Sequence, residues 1–310
     1  HWPTNALIST IDKLGSSASI FQILKKLSLK KNTTIIKSNR SWFDLELTEF
    51  WKFRDLIYLL VRQDLVTSYK QTLLGPFWII IQGLAGSAVF TIIFGNIANL
   101  STDGHPAFLF YLCGNLAWQY FGSTFGIGSN ALQSNVGLFS KVYFPRFIPP
   151  VSQSLSALLN FVIQLIVLSV AIYIYRAQLP SMATAPSEWV WLLPLLVLQS
   201  ALLGLGIGFI ISATSVKYRD VNRLAGMFTQ FVMYASPIIY PVSEIPLKYQ
   251  SYLAYNPLTF IVESYRFLLL GHSTACNLEF AIPSILITLA IFCLGCIAYN
   301  FTQRTYVDYV

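Results

Sequence analysis

Charged side chains are scarce in this sequence. Only 11% of its 310 residues are Asp, Glu, Lys or Arg, whereas 55% are hydrophobic. Soluble domains carry about 25% charged residues. The shortage of charge therefore indicates an integral membrane protein, and the large apolar fraction excludes an intrinsically disordered chain.

Side chains that bind metals or carry redox chemistry are also few. The three histidines, His1, His105 and His272, are too scattered to form a metal-ligand spacing. Two of the four cysteines, Cys293 and Cys296, form a C-x-x-C pair within a hydrophobic stretch. The absence of polar flanks favours two small packing residues, with a redox pair as the alternative. The sequence predicts no metal site.

A phosphate-binding loop is absent, because no G-x-x-x-x-G-K-[S/T] motif occurs in the 310 residues. If ATP drives this protein, a separate subunit must bind it. Gly204 and Gly208 are four residues apart in a hydrophobic stretch, as are Gly122 and Gly126. Small residues at this spacing allow membrane helices to approach closely, so they predict helix packing.

Six long uncharged stretches predict an all-α integral membrane protein, because a spanning helix needs about 20 apolar residues. We place the spans at about residues 76–98, 107–129, 149–175, 190–214, 225–241 and 280–301. A shorter hydrophobic piece at 243–275 is interrupted by Asn256-Pro257. We expect it to form a re-entrant pair of short helices buried in protein.

The basic residues predict the orientation of these spans. With the N-terminus inside, 17 of the 20 Lys and Arg residues fall in inside segments, and only Arg176, Lys248 and Arg266 fall outside. This bias predicts that both termini lie inside. The net charge of +7 is thus attributed to topology and anionic lipid, and not to nucleic acid.

Two segments precede the first span. Residues 1–49 are polar and basic, and we expect a cytoplasmic segment that forms either a surface amphipathic helix or a loosely ordered tail. In residues 50–70, Phe53, Leu56, Ile57 and Leu60 form an apolar stripe, which Asp64 interrupts. This pattern predicts an interface helix that lies in the plane of the membrane surface.

Six short motifs lie between Leu56 and Arg304, and each is too common to be informative alone. In chain order they are Tyr69-Lys70 with Leu74-Gly75-Pro76-Phe77-Trp78, Ser140-Lys141-Val142-Tyr143-Phe144-Pro145-Arg146, Tyr218-Arg219-Asp220-Val221, Ser236-Pro237-Ile238-Ile239-Tyr240-Pro241, Asn256-Pro257 and Tyr265-Arg266. In these residues and their order, the chain resembles permeases of type-2 ABC exporters, specifically the branch of O-antigen, capsule and teichoic-acid permeases. The resemblance assigns residues 50–310 to one transmembrane domain.

This resemblance implies a multi-pass homodimer in the bacterial inner membrane, paired with two copies of a separate ATPase subunit. ATP and Mg²⁺ would be bound by that subunit, and this chain would need no cofactor. The interface helix 50–70 would contact the ATPase. Two inside connections would be coupling helices, with the residues Lys141, Tyr143, Pro145, Arg146, Lys217, Tyr218, Arg219 and Asp220. Plain positive-inside loops are the alternative interpretation, although mixed aromatic and basic residues suit a protein interface.

The same resemblance places the substrate path. Leu74 and Gly75 would lie beside the entrance gate for a lipid-linked substrate. Arg62, Lys70, Lys141 and Arg146 are candidates to attract its pyrophosphate, or are topology or partner-docking charges. Residues 243–275 would close the outer end, where the candidate outer-gate residues are Pro237, Pro241, Asn256, Pro257, Glu263 and Arg266. Glu263 and Arg266, three apart on one helical face, form either a local ion pair or a brace for this gate.

Aromatic residues are candidates to line a sugar channel, because sugars present C–H faces that stack on rings. Those on the first, second and fifth spans are Phe90, Phe94, Tyr111, Trp118, Tyr120, Phe121, Phe125, Phe228, Phe231 and Tyr234. Facing lipid is their alternative role. The absence of charged residues in the central spans argues against a proton-coupled carrier.

The functional prediction is a permease that exports a lipid-linked, O-antigen-like polysaccharide. A drug or a small lipid is the alternative cargo for the same fold. A membrane-embedded enzyme acting on lipid-linked sugars is a further alternative, but the outside carboxylates form no paired motif that would support acid–base chemistry.

Overall fold

The computed structural model describes residues 53–70, 75, 77–135, 144–178, 185–218, 220–271 and 280–305. Within these ranges all regular structure is helical, which confirms the all-α part of the predicted fold class there. The cytoplasmic segment predicted for residues 1–49 lies outside the described residues.

Ten α-helices can be followed along these ranges. They are α1 Arg54–Lys70, α2 Phe77–Phe90, α3 Ala107–Ser129, α4 Ala131–Ser134, α5 Ile148–Gln178, α6 Leu193–Ser215, α7 Asp220–Ala235, α8 Leu247–Ala254, α9 Pro257–Leu270 and α10 Ala281–Thr305. A π-helical segment, Thr91–Ile97, continues α2, and a 3-10 turn, Glu188–Leu192, leads into α6.

Four helical segments are long and apolar enough to cross a membrane: Phe77–Ile97, Ile148–Gln178, Glu188–Ser215 and Ala281–Gln303. They correspond to four of the six predicted spans. The third helix coincides with the predicted span 107–129, but Asn115, Gln119, Ser123 and Thr124 make it less apolar. It lies at the centre of the bundle, between α6, α5, α2 and α9.

The seventh helix departs furthest from its predicted span. It runs from Asp220 to Ala235, whereas the predicted span is 225–241. The helix therefore begins five residues earlier and ends six residues earlier than predicted. Pro237 lacks the backbone N–H that a helix interior needs, and the chain turns there. The 16-residue helix leaves a bent segment between α7 and α8.

Glycines bring the central helices into direct backbone contact. A Cβ added at Gly208 of α6 would lie 2.7 Å from the Cα of Gly128 in α3, and one at Gly206 would lie 2.7 Å from the Cα of Phe292 in α10. A Cβ added at Gly204 would lie 2.9 Å from the backbone N of Phe125 in α3, so both members of the Gly204–Gly208 pair have the predicted packing role. Around Gly122 and Gly126, in contrast, no described atom lies within 4 Å of an added Cβ.

Two helices, α8 and α9, follow the bend within the described part of the segment 243–275. The Asn256 side chain caps α9 by accepting a hydrogen bond from the backbone N–H of Leu258 at 3.1 Å, and Pro257 is its first residue. Gly271 ends α9 with φ of +86°, a left-handed conformation that suits glycine.

Candidate functional site

The predicted interface helix α1 packs on the chain itself. Leu56 is buried in one cluster with Phe144 and Ile148, at the start of α5, and Phe53 and Leu60 of the same stripe lie against it. The apolar stripe thus packs, through Leu56, on the start of α5. These contacts attach α1 to the start of α5, one of the long apolar helices.

Arg146, from the first inside connection, joins two helix ends. Its Nη1 donates to the backbone carbonyl of Gln303 at 2.6 Å, and its own carbonyl accepts from the Tyr299 hydroxyl at 3.1 Å. The Phe147 ring lies 4.9 Å from that of Tyr299. These contacts tie the start of α5 to the end of α10. Pro145 accepts from the Ile148 N–H at 3.0 Å, whereas Lys141 and Tyr143 lie outside the described residues.

The second inside connection is more exposed. Lys217 Nζ lies 5.3 Å from the centre of the Tyr218 ring, and Asp220 lies 3.9 Å from Arg223. Just beyond it, the Asn222 side chain donates to Asn130 at 2.8 Å, which links α7 to α3. Arg219 lies outside the described residues. A surface of exposed basic and aromatic groups at linked helix ends is suited to docking a protein partner.

The opposite end of the bundle contains a buried ion pair. Arg266 Nη1 lies 2.6 Å from Glu263 Oε1, and both side chains are only 2–3% exposed. The guanidinium also donates to the carbonyls of Pro237 and Ile238 at 2.7 and 2.9 Å. It lies 3.6 Å from the centre of the Phe110 ring, within the range of a cation–π contact.

Arg266 therefore connects three elements: α9, the bend after α7, and the start of α3. The two carbonyl groups that Arg266 binds lie in a turn and not in a helix. A buried charge needs hydrogen-bond partners in particular directions. It therefore fixes the relative orientation of these three elements, which apolar packing alone does not do. Of the other predicted outer-gate residues, Pro241 precedes the 3-10 turn Val242–Glu244, and Asn256 and Pro257 begin α9.

The predicted channel aromatics separate into two groups. Five lie in the core of the chain, where they contact other helices: Tyr111, Trp118, Tyr120, Phe121 and Phe125. Phe90 and Phe94 are half-buried, and their rings are 5.8 Å apart. Phe228, Phe231 and Tyr234 project from the exposed face of α7. Of the predicted channel aromatics, this last group is the most exposed, and Phe90 and Phe94 are partly exposed.

A polar cavity of about 380 Å³ lies between α1, α3 and α5. Its walls are formed by Asp64, Leu65, Ser68, Tyr69, Ser123, Ile127, Gln153, Ser156, Ala157 and Asn160. The Tyr69 hydroxyl donates to the side-chain oxygen of Asn160. Burial, and then the nearby Asp64 carboxylate, raise the pKa of Tyr69, so this hydroxyl keeps its proton.

Sequence reasoning missed this cavity, although one signal for it was visible. Asp64 interrupts the apolar stripe of α1, and it is now seen in a cavity wall. Arg62 and Lys70 lie on the same helix but are not among the wall residues. Gly75 follows α1 with φ of +47° and accepts a hydrogen bond from the Trp78 N–H at 3.2 Å; Leu74 lies outside the described residues.

Comparison with known proteins agrees with this architecture. The O-antigen export system permease protein RfbA of Klebsiella pneumoniae is 27% identical over 212 residues, which are 68% of this chain and 79% of the relative. RfbA of Myxococcus xanthus is 27% identical over 226 residues, 72% of this chain and 84% of the relative. The polysialic acid transport protein KpsM of Escherichia coli is 28% identical over 204 residues, 65% of this chain and 76% of the relative.

The family comparison covers most of the helices described above. The ABC-2 type transporter family matches residues 55–270, from the start of α1 to the end of α9. The match includes the attached α1, both inside connections and the buried ion pair. The chain is therefore a multi-pass membrane protein that belongs to the ABC-2 type transporter family.

Proposed function

We propose that this chain is the permease subunit of an ABC exporter that moves a lipid-linked polysaccharide across the bacterial inner membrane. The observation that carries the proposal is the similarity to relatives named as O-antigen export permeases, which extends over 79–84% of their length. A further relative is named for polysialic acid transport. Both names specify a sugar polymer, which favours that cargo over a drug or a small lipid.

The proposed permease has six spans, with both termini inside. Four of the spans are the long apolar helices, and α3 and α7 are the other two. A less apolar α3 is consistent with spanning, because helices of the same chain surround it and satisfy its polar groups. The helices α8 and α9 form the re-entrant pair that closes the outer end.

The proposed active unit is a homodimer. Its support is the apolar face of α7. Exposure exceeds one half for Leu224, Met227, Phe231 and Tyr234, and α7 contacts few other elements. A channel between two copies would place the α7 rings, and the half-buried Phe90 and Phe94, beside the polymer. Rings suit a sliding chain, because stacking imposes little geometric specificity.

The proposed motor is a separate ATPase, present in two copies, that binds ATP and Mg²⁺. It would dock on α1 and on the connections that contain Arg146, Lys217, Tyr218 and Asp220. Its movement would reach α5 through the Leu56 cluster and α10 through Arg146. This route needs no catalytic residue in the permease.

The test is complementation. The chain, co-expressed with a candidate ATPase subunit, is placed in a bacterium that makes a matching polymer but lacks its own permease. We expect polymer to reach the cell surface, as measured with an antibody on intact cells. A chain without its ATPase is the control and should leave the polymer inside. Polymer that stays inside in both cases would refute the proposed function.

A further inference from the structure

Amide and hydroxyl side chains join the start of α7 to α3, α4 and α6, at the end of the bundle that carries the second inside connection. Asn222, in the first turn of α7, donates from its side chain to Asn130 Oδ1 at 2.8 Å and to Gln133 Oε1 at 3.1 Å. Gln133 in turn donates from Nε2 to the Ser215 hydroxyl of α6 at 3.3 Å. We call these four residues, Asn130, Gln133, Ser215 and Asn222, the amide joint.

The hydrogen bonds within the amide joint make Asn222 the donor. Asn130 lies at the break between α3 and α4, where its Nδ2 donates to the Gly126 carbonyl of α3 at 2.9 Å. That bond leaves Asn130 Oδ1 as the acceptor for α7, and the bond to Ser215 does the same for Gln133 Oε1. A carboxylate in place of the Asn222 amide would therefore set oxygen against oxygen at both contacts.

The far side of the joint is anchored in the packed part of the bundle. The backbone N–H of Leu132 in α4 donates to the Ser212 hydroxyl of α6 at 3.2 Å. The Leu132 side chain is fully buried, in one cluster with Phe209 of α6 and Tyr299 of α10. The joint thus connects α7, through α4, to two of the long apolar helices.

The near side of the joint, α7 itself, is packed much more loosely. Ala225 is the one buried residue of this helix, and farther along the Phe228 ring lies 6.1 Å from that of Phe125 in α3. The helix begins directly after the second inside connection, where the Val221 N–H donates to the Tyr218 carbonyl at 3.1 Å. With so little burial, the side-chain bonds of the joint are the specific contacts that hold this end of α7 against α3.

We propose that Asn222 is a positioning residue that makes α7 and α3 move together when the ATPase displaces the second inside connection. The inference rests on the proposed function and adds to it a third route, beside the Leu56 cluster and Arg146. With the joint intact, displacement of the connection would turn the apolar face of α7 within the proposed channel. Without the joint, the displacement would move only the start of α7, and ATP would be hydrolysed with little export.

The test compares export with hydrolysis in the complete complex of permease and ATPase. The complex is reconstituted into liposomes with the lipid-linked polymer, and the polymer moved per ATP hydrolysed is measured. Asn222→Asp should lower this ratio at least about fivefold while the hydrolysis rate changes less than about twofold. Ser134→Asp, which adds the same charge at an exposed position of α4 beside the joint, is the matched control and should keep the ratio of the unmodified chain.

An unchanged ratio in Asn222→Asp, or an equal fall in both variants, would overturn the proposal. If Asn222→Asp does not assemble with the ATPase, Asn222→Ala takes its place under the same criterion, because it removes the donor groups without adding charge.

A compensating substitution separates a positioning role from a merely structural one. Adding Gln133→Lys to Asn222→Asp replaces the amide bond between α7 and α4 by an ion pair, which should restore at least about half of the ratio at low salt. Salt at about 0.5 M should remove this rescue, because it screens exposed charges. The same salt should leave the ratio of the unmodified chain unchanged, since its joint is uncharged. A rescue that is absent, or that persists in salt, would contradict the proposed role.

The unmodified complex separates this inference from the proposed function. If it exports polymer and Asn222→Asp exports equally well per ATP, the joint is not a coupling route and the proposed function stands. If it exports no polymer, the proposed function fails and the inference fails with it.

Discussion

At the scale of single residues, two ion pairs with the same spacing differ completely in environment. Glu263–Arg266 is 2–3% exposed, whereas Asp220–Arg223 is about 90% exposed. In each pair an acidic residue precedes an arginine by three positions, so the two pairs follow the same sequence pattern. Only the first pair is expected to matter for folding, because solvent screens the second.

Arg266→Ala should destabilise the protein by about 3–5 kcal/mol, because it leaves the Glu263 carboxylate buried without its partner. Thermal unfolding of the purified protein in detergent measures the change. The double variant Glu263→Gln with Arg266→Met should recover part of the loss, since it removes both charges.

Arg223→Ala is the matched control for Arg266→Ala. It should change stability by less than about 1 kcal/mol, as expected for an exposed pair. Equal effects of the two arginine substitutions would show that burial does not distinguish the pairs.

At the scale of helices, glycine decides how closely α3 and α6 approach. Gly208→Ala places a Cβ 2.7 Å from the Gly128 Cα, and backbone atoms there cannot rotate away. We expect a loss of about 1–3 kcal/mol from overpacking, seen as a lower melting temperature in detergent. Gly126→Ala in α3 meets no described atom within 4 Å and should be neutral or slightly stabilising.

The attachment of α1 gives a second prediction at this scale. Leu56→Ala removes a side chain that is 3% exposed, with an expected loss of about 2–5 kcal/mol of local packing. Backbone amides of α1 should then exchange with deuterium at least about tenfold faster, as measured by mass spectrometry. Tyr58→Ala removes a side chain that is 67% exposed and should leave exchange unchanged. Similar rates in both variants would mean that the Leu56 cluster does not hold α1.

At the scale of the whole molecule, the proposed topology puts the two ends of the bundle on opposite sides of the membrane. In a background with the four native cysteines replaced by alanine, Glu244→Cys and Lys217→Cys introduce exposed thiols at opposite ends. A membrane-impermeant maleimide should label position 244 in intact spheroplasts and position 217 only after lysis. The reverse pattern would invert the orientation that the basic residues predict.

The predictive value of the sequence is clearest for whole helices. The span 107–129 coincides with α3, and the interruption at Asn256-Pro257 is the helix cap of α9. Both features depend on local chemistry, namely hydrophobic length and proline geometry. The end of α7 was misplaced, because the stretch up to Pro241 is apolar but Pro237 already turns the chain.

The environment of each side chain was less predictable. Aromatic residues on α3 and α7 look alike in sequence, yet Phe121 is buried in the core and Phe231 is 67% exposed. Asp64 looked like a flaw in an amphipathic helix and instead lines a cavity. Each outcome depends on which helix packs against that position, and this is non-local information.

Scarcity of charge by itself determined that this protein lies in a membrane, because lipid tolerates only long apolar helices whose backbone groups bond internally. The long uncharged stretches also determined where most helices lie. The sequence itself shows that no phosphate-binding loop is present in the chain. Only the tertiary structure decided which of the few charges are buried, which rings face outward and where the polar groups of α1, α3 and α5 converge. The physical reason is that burial depends on the contacts between helices far apart in sequence.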